Sequence, residues 1–518
     1  MKAQRKVSQT VTFPAPIGGW NVFDPLPEMA PSDAVTLDNF FCLPSQVQIR
    51  KGYTPWGTSL AGNVHSIFNY APQGAGEKIF AATNNANACQ LYDITTQGAA
   101  GSLVTSGLSS ARYKTALFSN SGGVFLACVN GADSLQLFDG TTWWPVDLST
   151  PTYAITGIST QSFNDVISFK NRLWFVQENS LSCWYLGVSA IAGAATQFNF
   201  GALFRRGGHI VKIDTWTLDA GYGVDDNLCI FTSKGEVAVY HGTDPSQAST
   251  WALIGVFYIG SPTDTVGHTC KYGGDLLILS KDGIAQMSKS LMSSRVSTLL
   301  TLTQKIQPQL ADDTTTYGGN PGWDLILFPP ENMLIANIPI STTQSYQYVM
   351  NTISGAWARW TNIPAQCWGF AQETLLFGSA GTVYKMWDGQ ADNGANIVAT
   401  MLPAFQKFGN EGQTKRWNMA RVVFSYNSPV NVGMAMMVDF DQNLNILSVP
   451  ALIPSNIGIW GVSTWGGANW GGTLYTDRKW RSVSGFGYWG SLQLQFSTKA
   501  SDIRVFSIDY NMEPGGVF

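Results

Sequence analysis

A short strand-like apolar unit recurs about every fifty residues through the first three quarters of this chain, and that recurrence limits the folds open to it. Its cores run Ile79 to Ala81, Val124 to Ala127, Leu173 to Val176, Leu228 to Phe231, Leu276 to Leu279, Leu325 to Phe328 and Leu375 to Phe377. Their starts are separated by 45, 49, 55, 48, 49 and 50 residues. In most units a turn leads to a second run with a bulky end, as in Gln90 to Asp93, Gln136 to Gly140, Cys183 to Tyr185, Val237 to Tyr240 and Val383 to Trp387. One such unit cannot bury both its faces alone, so units of this length stack as blades around an axis. The expected fold is all-β: a β-propeller of about seven blade-like repeats.

Composition fits an assembly protein better than a catalyst. Charged residues make up 12% of the 518, against about 25% in an ordinary soluble protein. Much of the surface is therefore expected to be uncharged polar or covered by other subunits. The 53 glycines and 19 tryptophans supply tight turns and large aromatic anchors. A net charge of -4 argues against gripping nucleic acid by broad phosphate neutralisation, although sliding contact with DNA stays open. The seven cysteines are scattered, with no CxxC pair, which reads as reduced, mostly buried thiols of a protein made in cytosol. No apolar signal-peptide core follows Met1, and no window of about eighteen apolar residues is present to span a bilayer.

Three regions are expected. Residues 1–60, punctuated by Pro14, Pro16, Pro25, Pro27, Pro31, Pro44 and Pro55, read as an extended N-terminal arm with one short helix at Ser32 to Phe40. Its aromatic residues require it to lie on its own body or on a neighbour. Residues 61–390 hold the propeller, with a candidate helix at Met287 to Leu310. Residues 391–518 read as a small β-sandwich-like domain for platform or docking contacts. Its expected strands include a hairpin of Arg421 to Ser428 with Val430 to Phe440, an alternating strand at Ser491 to Ser497, and Ile503 to Asp509. Between them Trp460, Trp465 and Trp470 recur at five-residue spacing among glycines, a period of neither helix nor strand. Three readings of this loop stand together: packing within the C-terminal domain, docking on another subunit, and stacking on a base or sugar.

Chemistry finds little purchase. The four histidines (His65, His209, His241, His268) have no metal-ligand spacing, and no phosphate loop or nucleophile elbow is present. Because propellers can be glycosidases, the carboxylates matter. Asp225-Asp226 and Asp312-Asp313 are adjacent pairs, but neighbours in a turn usually point apart. Ser280-Lys281-Asp282-Gly283 approaches the Asp-box of sialidases without its Asp-x-Gly spacing or its Trp, and a hairpin turn accounts for it. No catalytic, cofactor or metal residues are therefore assigned.

The segment from Gly18-Gly19-Trp20-Asn21-Val22-Phe23-Asp24-Pro25 through Phe40-Phe41, followed by Val47 to Tyr53, resembles the start of tail structural proteins of short-tailed phages. The chain end, Tyr510 to Phe518 with its Gly515-Gly516-Val517-Phe518, resembles their terminus. Together these stretches cover roughly 60 residues and bracket the repeats. The resemblance implies a tail nozzle, or tail tubular protein B. Such a protein is a hexameric propeller-containing tube below the head-to-tail adaptor, near the fibres or spikes, that retains and then conducts duplex genome DNA without sequence specificity. It implies no enzyme and no cofactor, and a place in the virion tail after synthesis in the host cytoplasm. On this reading Trp20, Phe23, Phe40, Phe41, Trp460, Trp465 and Trp470 are candidate subunit-interface residues. The alternative is a receptor-binding or glycan-cleaving propeller of the phage tail.

Overall fold

A computed structural model describes residues 8–74, 76–85, 88–147, 151–219, 224–261, 268–291, 301–409, 411–443, 451–452 and 474–517. Six four-stranded antiparallel blades form the propeller. Blades 1 to 4 begin with the inner strands Asn63–Tyr70, Lys114–Asn120, Phe163–Phe169 and Ile210–Asp219, and each continues outward through three more strands. Blade 5 runs Asp324–Phe328, Met333–Pro339, Ser345–Asn351 and Trp357–Trp360. Blade 6 takes Cys367–Ala371, Thr374–Gly378 and Val383–Met386 from its own repeat, and its outermost strand, Tyr53–Gly57, from the N-terminal region.

The repeat between blades 4 and 5 differs. Its described strands are three, His268–Tyr272, Asp275–Ser280 and Gly283–Gln286. Where a fourth strand would follow, the chain turns into a short helix, Met287–Leu291. Among the described residues there are thus six four-stranded blades, with one three-stranded sheet between the fourth and fifth, slightly different from the expected seven or so blade-like repeats. A second helix, Gln307–Tyr317, starts with a proline in its first turn, so the candidate helix at Met287 to Leu310 is broken into a short helix, a 3-10 turn at Gln304–Ile306 and the start of this second helix, with residues 292–300 outside the description. This insertion also shifts the repeat frame. The recurring apolar core is the second strand in blades 1 to 4, the three-stranded sheet and blade 6, but Leu325 to Phe328 is the first strand of blade 5.

Aromatic side chains fill the seams between blades. In blade 3 Phe163 stacks on Phe175 with centroids 4.5 Å apart, and Trp174 stacks on Trp251 of blade 4 at 5.5 Å. Burying one such ring contributes about 1.5–3 kcal/mol. The cysteines are unpaired, and all but the half-buried Cys270 are buried. Burial pushes the Cys42 and Cys89 thiols up to about 12, out of reach of the reactive thiolate form. No helix among the described residues is long and apolar enough to cross a membrane.

The remaining strands form a two-sheet sandwich. One sheet has the order Tyr475–Asp477, Gln413–Tyr426, Arg504–Val517, Gln46–Ile49, Phe40–Leu43; Gln9–Pro14 pairs with the third of these and Arg481–Gly487 with the second. The facing layer is Asp33–Asp38, Ile397–Pro403, Gly490–Thr498, Val430–Val438, Ala451–Leu452. Through Asp33–Asp38 this layer joins the outer strand of blade 5, giving one continuous ten-stranded sheet. Phe40, Val422, Phe424, Leu494, Phe496 and Ile508 close the core between the layers.

Three expectations are corrected here. Residues 8–57 are not an arm: they supply strands to both sandwich layers and to blade 6. Within Ser32 to Phe40 the chain forms the strand Asp33–Asp38, not a helix. Pro31 and Ser32 do suit a helix start, but Val35 and Thr36 are β-branched, and the strand finds pairing partners on both edges. The two runs flanking Ser428-Pro429 are both strands but not a hairpin, because Gln413–Tyr426 and Val430–Val438 lie in opposite sheets. Alternation reads the same whether a chain folds back beside itself or crosses to the facing layer, so sequence period alone does not separate the two. The alternating run at Ser491 to Ser497 does lie in a strand, as does Ile503 to Asp509 from its second residue.

Candidate functional site

The first candidate region is where the segment from Gly18 to Asp24 meets blade 5. Gly18-Gly19-Trp20-Asn21 sits against blade 5, where Gly19–Trp20 pairs in parallel with Asp33–Asp38. Gly19 has φ +87°, and a Cβ there would stand 2.6 Å from the Trp357 nitrogen and 2.7 Å from its oxygen. Only glycine permits that conformation so close to another backbone. Gly19→Ala is expected to cost about 3 kcal/mol or more, read as a fall in the denaturant midpoint of unfolding.

Asn21 organises the next residues. Its Nδ2 donates to Asp33 Oδ2 (2.7 Å) and Asp24 Oδ2 (2.8 Å), and its Oδ1 accepts from the Phe23 and Asp24 nitrogens. Lys305 donates from Nζ to Asp33 Oδ1 at 2.8 Å and to the Gly18 oxygen at 2.9 Å. This glycine-tryptophan-asparagine motif is thus an internal clasp between the N-terminal strands and blade 5.

That placement decides three of the interface candidates. Trp20, Phe40 and Phe41 are buried in the chain's own core. Trp20 packs edge-on against Tyr348, Phe40 against Phe496 and Phe41 against Trp387. Their rings are spent inside the subunit, which corrects the expectation that they face a neighbour. The fourth N-terminal candidate, Phe23, is exposed, at 45%. Trp460, Trp465 and Trp470 lie outside the described residues.

The second candidate is the axial pocket, of about 540 Å³. Its wall is made by the starts of the inner strands and the residues just before them, so each blade offers one or two side chains to a common space. Blade 1 gives His65, blade 2 Lys114 with Arg112 just before it, blade 3 Asn164, blade 4 Lys212, blade 5 Asp324, and Gln366 immediately precedes blade 6. Arg112 Nη2 lies 3.3 Å from His65 Nδ1. Burial first, and the nearby Arg112 charge second, push the His65 imidazole down to about 4, leaving it neutral at physiological pH. Lys212 Nζ is 3.3 Å from Asp165 Oδ1. Burial would lower this ammonium, but Asp165, Asp214 and Asp324 outweigh it and hold it above its usual range.

Asp324 is fixed by its backbone surroundings: Oδ1 accepts from the Leu325 nitrogen at 2.9 Å and Oδ2 from Trp368 at 3.2 Å. Burial raises its carboxyl, and Lys114, these N–H groups and Lys212 offset only part of that rise. Chemically the pocket is a polar cradle of both charge signs and several amides, built on the inner strands and the residues just before them.

The carboxylates singled out in the sequence do not join it. Asp226 accepts from Thr217 Oγ1 at 2.6 Å within blade 4, and the Asp225 side chain lies outside the description. Asp313 is buried and accepts the Tyr348 hydroxyl, while its neighbour Asp312 is exposed. Ser280 to Gly283 is a hairpin turn in which Ser280 Oγ donates to the Gly283 oxygen at 3.2 Å. Of the four histidines, His65 and His209 both reach the axial pocket. Among the described residues no group of three His, Cys, Asp or Glu is placed to hold a metal.

Sequence reasoning missed the axial set, yet a signal was present. His65, Lys114, Asn164, Lys212 and Asp324 each precede or open an inner strand, and the first four recur at the repeat spacing. Polar residues recurring in phase with an apolar repeat mark the lining of a shared axis.

No family model and no curated protein matches this chain. Among solved structures it is similar to YCF48 bound to D1 peptide, at 10% identity over 65% of this chain and 97% of that one, with a TM-score of 0.39. It is also similar to BBS1N in complex with ARL6DN, at 10% identity, 66% and 99% coverage and a TM-score of 0.35. The Myceliophteria thermophila Cps50 (Swd1) β-propeller domain gives 13% identity, 65% and 99% coverage and a TM-score of 0.40. The propeller assignment rests on the strand order within the chain itself.

Proposed function

We propose that this chain is a wall subunit of the tail nozzle of a short-tailed phage. Copies, expected to be six, form a ring beneath the head-to-tail adaptor, carry fibres or spikes, and retain and then conduct the genome during ejection. One observation supports this reading most. Two strands that each contain part of a resembling stretch, some 460 residues apart in sequence, are neighbours in one sheet: Gln46–Ile49 pairs with Arg504–Val517 through Val47 and Val505. Segments brought together from opposite chain ends form one module, which is what a shared platform requires.

The charge balance agrees with a conduit. A wall dense in lysine and arginine would hold phosphates and stall the duplex, whereas a sparsely charged, weakly acidic one lets it slide. At 540 Å³ the axial pocket is far too small for a duplex, so the conduit of this proposal runs between copies and not along the propeller axis. Closure of such a ring uses different patches on the two sides of each subunit.

Electron microscopy of the purified protein or of particles tests this directly: a ring with a central hole of duplex width is expected, and a lone monomer bound to cells or a position away from the exit path would overturn it. Removing residues 460–472 is expected to impair ring assembly or fibre attachment while the melting curve of the subunit stays unchanged. Particles of normal infectivity from that deletion would exclude the tryptophan loop from assembly.

A further inference from the structure

We infer that the axial pocket binds a small hydroxylated anion, a molecule carrying one carboxylate or phosphate beside several hydroxyl groups, such as a sugar acid or a sugar phosphate. The inference is independent of the nozzle reading, since the pocket belongs to one propeller and needs no second copy.

Size comes first. Small-molecule sites occupy about 300–1,000 Å³, and this pocket of about 540 Å³ suits a monosaccharide with a few waters. Charge comes second. Arg112, Lys114 and Lys212 bring cationic heads from two different blades into one space, and an anion among them gains charge-assisted hydrogen bonds of the stronger kind. Lys212 is tied to Asp165 behind it; Lys114, which opens the inner strand of blade 2, is the residue used to test the anionic end.

Hydroxyl recognition is the third element. Asp324 is a carboxylate with both oxygens tethered by backbone N–H groups, so it presents its remaining lone pairs in a fixed direction and accepts hydroxyl protons with little loss of freedom. Asn164 and Gln366 add amides to the wall, and Asn164 Oδ1 and Gln366 Oε1 are buried without a hydrogen-bond partner. Buried polar atoms are ordinarily paired. A hydroxyl group, or a water it orders, satisfies them after a small rotation of each amide. Neutral His65 supplies a ring that can donate and accept. Cations alone would suit any anion. Here the carboxylates of Asp324 and Glu178 in the same wall repel a bare polyanion, while the cations favour a single negative charge with hydroxyls around it.

Calorimetric titration of the full chain with glucuronic acid, glucose 6-phosphate, glucose and inorganic phosphate tests this, the first two compounds separating a carboxylate ligand from a phosphate one. At least one of these two is expected to bind about tenfold or more tightly than glucose and than phosphate. Lys114→Gln is expected to weaken that binding about tenfold or more, the usual effect of losing a charged hydrogen bond. Where Lys114→Gln also lowers the melting temperature, Asn164→Ala decides, with an expected several-fold loss. Failure of both sugar anions to exceed glucose, phosphate binding as tight as theirs, or affinities unchanged in both variants would each overturn the inference.

Discussion

A chain starting at residue 58 is expected not to fold: expressed without residues 1–57, it should be insoluble or show no cooperative thermal transition. The deletion removes the outermost strand of blade 6, leaving the Val383–Met386 edge unpaired, and three strands from one sandwich layer. It also removes Asp33–Asp38, the strand that ties blade 5 to the facing layer. Leu37, Phe40, Phe41, Val47, Ile49, Tyr53 and Trp56 are all buried. At about 2 kcal/mol each, their loss is comparable with the whole 5–15 kcal/mol that stabilises a typical domain. An arm lying on the surface would be removable at small cost, so a soluble truncated chain with a sharp melting transition would refute the interwoven arrangement.

The second large effect is expected at a single ion pair. Arg50 is fully buried and Asp392 nearly so. The guanidinium spends every donor: Nη1 and Nη2 on the two Asp392 oxygens at 2.7 and 2.6 Å, Nε on Asn39 Oδ1 at 2.9 Å, and the remaining N–H groups on the Lys51 and Thr361 oxygens, both at 3.2 Å. One side chain thus joins the N-terminal strands, the end of blade 5 and the loop after blade 6. Asp392→Ala leaves the arginine charged, buried and short of its counterion, and is expected to cost about 3–5 kcal/mol. Replacing both partners together, as Arg50→Met with Asp392→Leu, is expected to cost clearly less than the sum of the single changes, since no charge is then stranded. Equilibrium urea unfolding of the four proteins gives the cycle, and additive costs would show that the pair is not coupled.

Much of the fold was legible because a repeated unit writes its period into the chain. Short apolar runs such as Val124 to Ala127 and Leu228 to Phe231 announce second strands, and Gln136 to Phe138 or Val237 to Tyr240 announce third ones. What the period could not carry was pairing between residues hundreds of positions apart. Nothing local in Tyr53 to Gly57 says that its partner is Val383 to Met386, and Pro55 even argues against an inner strand; at the outer edge of blade 6 that proline is tolerated. The same limit misled the interface assignment. Trp20, Phe40 and Phe41 read as rings seeking a neighbour because their true partners, Tyr348, Phe496 and Trp387, lie more than three hundred residues away. The axial residues were hidden for a different reason: each is an ordinary polar residue by itself, and only the ring makes them a set.

Where blade 5 runs into the sandwich, the connection is a strand shared by both, with Asp38 beside Arg359 in the ladder and the same two side chains joined by a doubled ion pair at 2.8 Å. A flexible linker would let one body swivel while the other stayed still. Here the two bodies meet edge to edge, at the Asp38–Arg359 pair and along the antiparallel pairing of Asp33–Asp38 with Ile397–Pro403. One strand thus belongs to both, so a substitution that loosens it is felt on both sides of the junction.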